Sequence, residues 1–175
     1  GIDIWDVIKL TNKHPRVNIL KPGIGVGGHC IAVDPWFIVD ADKDNSKIIQ
    51  QARHVNNNRS DIVYNQILKK LKHDFLSKKL KPTVGCFGIS YKPDVNDLRE
   101  SPAIKIIDKL LNKGINVNVV EPNLSQHEKY NLCTIQEAIK GSDLLVILVA
   151  HKEFQTKEIK ALLSSFDTID FCGIL

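Results

Sequence analysis

Methionine is absent from all 175 residues, position 1 included, so we expect the chain to begin inside a longer product. No secretory signal is visible, because residues 1–6 do not place a basic start before an apolar run. The longest apolar run, residues 144–150, is far too short to span a bilayer. These absences predict a cytoplasmic protein with no membrane partner.

Aromatic residues make up only 6% of the chain, and the net charge is a mild +4. The basic clusters at residues 69–72 and 78–81 contain no interleaved aromatic side chains, on which single-stranded nucleic acid would stack. We therefore expect no nucleic-acid partner. Solvated helix faces explain the clusters, but a basic pocket for an anionic small molecule stays open.

No two cysteines have the C-x-x-C spacing of zinc and disulfide-exchange sites. We therefore predict no metal site and, in the absence of a signal peptide, reduced thiols. Cys86, Cys133 and Cys172 lie in or beside apolar segments, as small core or loop residues do. Cys30 differs because it lies in a glycine-rich loop.

Apolar residues recur at helical spacing over residues 46–72, and Ser46 is placed to cap the start of this helix. A helix of this length either bridges two domains or packs against a second subunit. Residues 1–14 carry a shorter helical stripe that Pro15 ends. Between the two helices, we expect residues 16–36 to form a loop.

From residue 81 onward, apolar strands alternate with amphipathic helices. The expected strands are 83–90, 116–120, 144–149 and 168–171, and the expected helices are 101–113, 134–140 and 153–164. Ser101 and Pro102 mark the start of the first of these helices, and Gly114 marks its end. The alternation predicts an α/β fold in which a long central helix is followed by a Rossmann-like, doubly wound parallel sheet.

The glycines at residues 23–28 formally fit the G-x-G-x-x-G dinucleotide motif. That motif needs a strand before it and a helix that opens at its last glycine. Here Pro22 precedes the glycines, and Cys30 and Pro35 follow them. We therefore reject a dinucleotide site in this loop.

Cys30 offers a nucleophile directly after the glycines. An ordinary thiol, with a pKa of about 8.5, is only slightly ionised at neutral pH, but backbone N–H groups of a glycine loop are able to stabilise a thiolate and then an oxyanion. Asp34, four residues later, is placed to orient a water molecule or accept a proton. A free cysteine in a structural loop is an equal alternative. His29 is a further candidate base, although a single loop histidine is more often a surface residue.

A second candidate site spans residues 90–102, between the first predicted strand of the sheet and the following helix. Ligands of open α/β sheets bind outside the carboxyl ends of the strands. Lys92 and Arg99 are able to pair with phosphates there, and free N–H groups at Ser101 favour an anion. The alternative is a surface loop that ends in a helix cap.

These two segments resemble the UDP-glucose/GDP-mannose dehydrogenase family. Members oxidise the C6 alcohol of a nucleotide sugar to a carboxylate with two NAD. The resemblance implies a UDP-binding domain at residues 81–175, and at residues 1–80 a catalytic-cysteine loop with a helix, 46–72, that forms a homodimer. It covers essentially the whole chain and rests on HPRVNIL (14–20), GVGGHCIAVDPWFIV (25–39), ARHVN (52–56) and YKPDVNDLRESPA (91–103).

By this resemblance, Cys30 is the nucleophile that forms a thiohemiacetal and then a thioester, and Asp34 assists proton transfer and water activation. By the same resemblance, the family's substrate-binding positions correspond to Arg16, Gly27, Gly28 and Lys92. An arginine near the cofactor corresponds to Arg99.

The family's NAD-binding domain and catalytic lysine precede the region that this chain resembles. We therefore expect NAD to be bound mainly outside this region, and the isolated chain not to turn over. Within this resemblance, the motif AVDPW (32–36) is similar to that of the branch that oxidises UDP-N-acetylmannosamine, while UDP-N-acetylglucosamine and UDP-glucose stay open as substrates. The alternative from another functional class is a non-catalytic module that binds UDP and dimerises.

Overall fold

The computed structural model describes residues 1–74 and 81–175. It confirms the predicted α/β fold. The predicted boundary at residue 80 and most of the basic cluster at 78–81 lie outside the described residues. In chain order the elements are α1 (Ile4–Thr11), α2 (Cys30–Ala41), α3 (Lys47–Asp74), β1 (Thr83–Phe87), α4 (Pro102–Asn112), β2 (Asn116–Val120), α5 (Ile135–Lys140), β3 (Leu144–Ile147), a 3-10 turn (Lys152–Gln155), α6 (Lys157–Ser164) and β4 (Thr168–Asp170).

The four strands form one parallel sheet in the order β2-β1-β3-β4. Val84 of β1 is aligned with Val117 of β2 on one side and with Leu144 of β3 on the other. The chain therefore leaves β1 toward one edge of the sheet and leaves β3 toward the opposite edge. This is the doubly wound arrangement that the alternation predicts, with its switch point between β1 and β3.

Successive strand residues point to opposite sides of the sheet, and here both sets are apolar. Helices therefore cover both faces of the sheet. Val84 and Cys86 face a core that α3 and α4 complete, whereas Phe87 faces a core completed by α5, the 3-10 turn and α6. A side chain on either face is removed from water, which stabilises the fold by about 1.5–3 kcal/mol for a large aliphatic residue. The near-continuous apolar strands of the sequence follow from this burial on two faces.

The predicted long helix is confirmed as α3, which has 28 residues. Its C-terminal half packs into the sheet core through Val63, Ile67 and Leu71, all fully buried. Its N-terminal half carries α2, where the rings of Trp36 and His54 meet edge to face with centroids 5.4 Å apart. Ser46 occupies the predicted cap position directly before α3, and its carbonyl accepts the Gln50 N–H at 3.0 Å, but its buried hydroxyl has no hydrogen-bond partner among the described residues.

The loop predicted at residues 16–36 is too long, because helix α2 begins at Cys30 and contains Pro35. Proline removes one N–H from a helix. The carbonyl that loses its donor belongs to Ile31, an exposed residue, so water is able to replace the missing bond. One of the two grounds for rejecting a dinucleotide site therefore fails. The other holds, since no strand precedes the glycines among the described residues.

Two further boundaries differ from the prediction. The expected helix at 153–164 is divided at Thr156, whose extended backbone ends the 3-10 turn and whose hydroxyl accepts the Ile159 N–H to cap α6. Strand β1 ends at Phe87, because Gly88 turns the backbone to a φ of +88°. Over residues 1–74 and 81–175, no helix combines the length and apolar character needed to cross a membrane.

Candidate functional site

A cleft opens at the carboxyl ends of β1 and β3, the switch point of the sheet. It encloses about 220 Å³. One wall is the glycine loop, which we define as residues 21–29, and another is the β1–α4 loop, residues 88–101. The segment after β3 forms the floor. The cleft is lined by residues 21–25, 90–93 and 148–150 together with Pro102 and Cys172.

Two lysines from different segments of the chain line this cleft. Lys92 lies on the β1–α4 loop, with its Nζ 5.4 Å from the centroid of the Tyr91 ring. Lys21 lies on the glycine loop. Two cations in the lining of one cleft favour an anionic ligand. Sequence analysis placed Lys92 after the first strand but missed Lys21, because only the fold brings the residue before Pro22 to the same cleft.

The N-terminal end of α4 is less open than expected. Ser101 donates its backbone N–H to the Leu98 carbonyl at 3.1 Å, and its hydroxyl accepts the Ala103 N–H at 3.2 Å. The prediction that free N–H groups at Ser101 bind an anion is therefore wrong for these two donors. Charge at the cleft comes instead from the lysine side chains.

The two candidate segments of the sequence contact each other directly. The Gly28 N–H donates to the Arg99 carbonyl at 2.9 Å, so this N–H is not free to stabilise an oxyanion. A Cβ on Gly27 would lie 2.4 Å from the Glu100 carbonyl oxygen. A Cβ on Gly28, whose φ is +89°, would lie 2.9 Å from the Tyr91 ring. These glycines therefore permit the glycine loop to pack on the β1–α4 loop.

Helix α3 holds the glycine loop in place from the other side. Asn56 accepts the Val26 N–H at 2.8 Å and donates to the Val26 carbonyl at 3.0 Å. Arg59 donates to the Gly23 carbonyl at 2.9 Å. This role was not predicted, although Asn56 and Arg59 belong to a polar patch, residues 56–59, that interrupts the apolar face of the helix. That interruption was the available signal.

Cys30 is exposed at the first position of α2, with its Sγ 4.0 Å from His29 Nδ1. Asp34 is exposed as well. Because residues four apart lie on one face of a helix, the Asp34 carboxylate follows the thiol by one turn on the same face. The helical start at Cys30, which the loop prediction did not include, is what brings these two groups together.

Arg99 and Arg16 have different surroundings. Arg99 donates hydrogen bonds to the Asp97 carboxylate from Nε at 3.0 Å and from Nη2 at 2.6 Å. These bonds lower the Asp97 pKa to about 2. The Arg99 pKa is raised, chiefly by its hydrogen bonds to Asp97. Arg16 is exposed between α1 and the glycine loop, and in the part of the chain that the structure describes no contact joins its side chain to the other predicted site residues.

Below the cleft lies a buried polar pair that sequence analysis missed. Glu121 follows β2 and His151 follows β3, and their side chains meet at 3.0 Å between Oε2 and Nε2. Burial alone would raise the Glu121 pKa, but hydrogen bonds from His151 and from backbone N–H groups outweigh it and hold the pKa at about 2. Thirty residues separate the two, so no local pattern in the sequence joins them.

His151 also belongs to the group of potential metal ligands in the described residues, with Asp94 and Glu153. Its Nδ1, however, accepts the Asp94 backbone N–H at 2.9 Å. A metal ion would need that lone pair, and a backbone N–H cannot turn away from it without moving the loop. The geometry therefore favours a structural histidine over a metal ligand.

Two family comparisons match this chain. Residues 85–175 match the UDP-binding domain of the UDP-glucose/GDP-mannose dehydrogenase family, and residues 1–58 match the central domain of that family. A UDP-N-acetyl-D-mannosamine dehydrogenase of Campylobacter jejuni is 48% identical over 161 residues, which are 87% of this chain and 38% of that protein. The chain thus spans well under half the length of this relative.

Solved structures give the same picture. The structure of a UDP-D-ManNAc dehydrogenase from Pyrococcus horikoshii matches with a TM-score of 0.81 and 28% identity, over 100% of this chain and 41% of that one. A UDP-N-acetyl-mannosamine dehydrogenase from Staphylococcus aureus matches with a TM-score of 0.76 and 34% identity, over 99% of this chain and 40% of that one.

Proposed function

The chain belongs to the UDP-glucose/GDP-mannose dehydrogenase family, and from this premise we propose that it is the C-terminal portion of a nucleotide-sugar 6-dehydrogenase. The substrate proposed for the parent enzyme is UDP-N-acetyl-D-mannosamine, which it oxidises to UDP-N-acetyl-D-mannosaminuronate in the cytoplasm. The observation that carries the proposal is the direct packing of the glycine loop, which ends just before Cys30, on the β1–α4 loop, which carries Lys92. The two loops are joined by the Gly28–Arg99 hydrogen bond.

The cleft is proposed as the UDP site. The cleft encloses about 220 Å³ and lies at the switch point of the sheet, where α/β sheets bind nucleotides. Lys92 and Lys21 on its walls suit the diphosphate. The apolar floor formed by Leu148, Val149 and Ala150 suits the base or ribose, since ligand pockets combine mostly apolar surface with a few polar groups.

Cys30 and Asp34 are proposed to perform the second oxidation. The Cys30 sulfur adds to the C6 aldehyde and forms a thiohemiacetal, whose oxygen takes up a proton. C6 then gives up its hydrogen as hydride while the hydroxyl of the thiohemiacetal gives up its proton, and the sulfur remains bound as a thioester. Asp34 then orients a water molecule and takes its proton, and attack of that water on C6 breaks the carbon–sulfur bond and releases the carboxylate.

NAD supplies the acceptor for the hydrides that leave C6. Arg99 fits a contact with this cofactor, because its guanidinium is largely exposed and its backbone carbonyl binds the Gly28 N–H, two residues before Cys30. We propose that NAD is held mainly by the N-terminal domain of the family. The 175-residue chain by itself is therefore expected to show no NAD reduction with UDP-N-acetylmannosamine, and measurable turnover would contradict this.

A homodimer through α3 is part of the proposal. The outer surface of α2 and α3 exposes large apolar side chains, which are costly to leave in water when they lie close together. These residues are Ile31, Phe37, Ile38, Ile48, Val55 and Ile62. We expect sedimentation analysis to show a dimer that a Val55→Asp substitution dissociates, while Lys140→Ala, on the distant helix α5, leaves it intact.

The first test is calorimetric titration of the chain with UDP. We expect binding that Lys92→Ala weakens about tenfold or more, because a charge-assisted bond to phosphate is lost. Lys140→Ala is the matched control and should bind as the wild type does. Absence of binding by the folded wild-type chain, or equal binding by Lys92→Ala, would contradict the proposed site. UDP-N-acetylmannosamine, UDP-N-acetylglucosamine and UDP-glucose titrated in parallel would rank the sugars.

A further inference from the structure

We propose that Glu121 and His151 are positioning residues that hold Lys92 at the cleft. The inference rests on the proposed function, since it assigns to Lys92 the binding of UDP. Neither residue lines the cleft. Glu121 is 4% exposed and His151 is fully buried, so both act through the backbone of the β1–α4 loop.

Glu121 fixes the start of this loop. Its Oε2 accepts the backbone N–H groups of Ile89 at 2.8 Å and Ser90 at 3.1 Å. Its Oε1 accepts the N–H and the side-chain amide of Asn123. A buried carboxylate is costly unless it is hydrogen-bonded, and here each oxygen has several donors. The ionised side chain therefore pins two consecutive residues just before Lys92.

His151 fixes the loop just after Lys92. Its Nδ1 accepts the Asp94 N–H at 2.9 Å, and because a backbone N–H only donates, Nδ1 must carry a lone pair. The ring proton therefore sits on Nε2 and is donated to Glu121 at 3.0 Å. Asp94 has a φ of +61°, a conformation that costs energy outside glycine. The bond to His151, together with the Lys152 N–H donated to the Asp94 carboxylate at 3.0 Å, holds it there.

Lys92 lies between these two anchors. Its own carbonyl accepts the Ser90 hydroxyl at 2.7 Å, and Ser90 lies 3.3 Å from His151 Nε2. Residues on both sides of Lys92 are thus bonded to one buried pair, while the Lys92 side chain is left exposed. Pre-ordering a binding residue lowers the entropy that the ligand must otherwise remove.

Two substitutions of His151 separate positioning from general stability. The oxygen of Asn is able to take the place of Nδ1 and accept the Asp94 N–H, whereas the amide of Gln reaches the place of Nε2 and leaves the Asp94 N–H without its acceptor. We expect His151→Asn to bind UDP within about threefold of the wild type and His151→Gln to bind about tenfold more weakly. Equal losses in the two variants would overturn the inference.

A double substitution adds a readout that a purely structural role would not give. If His151 acts through Lys92, the Lys92→Ala/His151→Gln chain should bind UDP as weakly as Lys92→Ala alone. Additive losses would overturn the inference. If His151→Gln fails to fold, Ser90→Ala removes the tether to the Lys92 carbonyl and should weaken UDP binding about threefold. Unchanged binding in Ser90→Ala would then count against it.

Hydrogen exchange of the Asp94 amide tests the positioning without UDP. We expect the amide to be protected in the wild type and in His151→Asn, and to exchange fast in His151→Gln. Equal protection in all three chains would overturn the inference. A wild-type chain that does not bind UDP would instead contradict the proposed function, and the exchange data would still decide whether the buried pair holds the loop.

Discussion

The regions on the two sides of the cleft are stabilised in different ways. The sheet region buries its apolar side chains on both faces, and residues such as Ile107 and Leu144 are fully removed from water. The region before α3 leaves Leu10, Leu20 and Phe37 more than half exposed, and helix α1 buries no residue at all. The sheet region therefore supplies its own core, whereas the first region depends on contacts made by α3 and by the β1–α4 loop.

The largest expected effect is on the free energy of unfolding, and it separates a buried apolar residue of the sheet region from an exposed one before α3. Ile107→Ala should reduce the free energy of unfolding by about 2–5 kcal/mol, because it leaves a cavity in the sheet core. Phe37→Ala should change it by less than about 0.5 kcal/mol, since Phe37 is 69% exposed. Urea denaturation of both variants in the Val55→Asp background, in which the proposed dimer is dissociated, measures both changes. A comparable cost for Phe37→Ala would show that the first region has a core of its own.

A second prediction breaks the contact between the regions. Gly28→Ala adds a Cβ 2.9 Å from the Tyr91 ring at a φ of +89°, whereas Gly114→Ala adds one at a φ of +78° with open space around it. Both variants carry backbone strain of about 1 kcal/mol, and only Gly28→Ala adds a clash. We expect Gly28→Ala to lose more thermal stability and to weaken UDP binding. Equal melting temperatures would contradict this.

A third prediction concerns the stability that Glu121 contributes and how it changes at acid pH. The Glu121 pKa is about 2 in the folded protein against an ordinary value of 4.5, so the unfolded chain binds more protons between these values. Glu121 therefore stabilises the fold above about pH 4.5, and this contribution is lost as the pH falls toward about 2. Glu121→Gln should start about 1–3 kcal/mol less stable at pH 7 and decline less over that window.

Asp97→Asn serves as the control for this titration. The Asp97 pKa is also lowered, from 3.8 to about 2, by hydrogen bonds from Arg99, so its contribution has the same sign and is lost over a narrower pH window, from about 3.8 toward about 2. Its partner is 63% exposed, and exposed ion pairs contribute little. The pH profile of Asp97→Asn should therefore stay close to that of the wild type. A larger change than in Glu121→Gln would refute the ranking.

The smallest effect on stability is expected at Cys30. Cys30→Ser should leave the unfolding free energy within about 0.5 kcal/mol, because the residue is exposed. It should nevertheless abolish the fast phase of thiol labelling in the folded chain. Burial raises the pKa of Cys133, and it raises the pKa of Cys86 and of Cys172 to about 12, so these three thiols should react slowly. Mass spectrometry of the labelled peptides would identify the site, and a fast phase that persists in Cys30→Ser would contradict the prediction.

The fold was predictable because its signals are local. Strand β2 and the ends of α4 follow directly from apolar alternation, Ser101, Pro102 and Gly114. Predictions failed at residue types that occur in more than one kind of local structure. Pro35 favours a loop in sequence, yet the structure places it inside α2. Ser46 favours a side-chain cap, yet its hydroxyl has no hydrogen-bond partner in the part of the chain that the structure describes.

The candidate site was predictable only in part, because half of it is assembled from distant segments. Cys30, Asp34 and Lys92 belong to motifs that are contiguous in sequence. The pair formed by Glu121 and His151 comes from the ends of β2 and β3, and only the strand order brings the two together. Periodicity and spacing within one segment carry no information on such pairs.

Helix α3 limits how the length of this chain is able to vary. Asn56 holds the glycine loop, and Val63, seven residues later, is fixed in the sheet core. One residue inserted between them would rotate Asn56 by about 100° and shift it by about 1.5 Å relative to the core. Inserting four residues would nearly restore the direction of Asn56 but move it by about 6 Å. The spacing between Asn56 and Val63 is therefore a fixed quantity of the molecule, and neither an insertion nor a deletion there preserves the cleft.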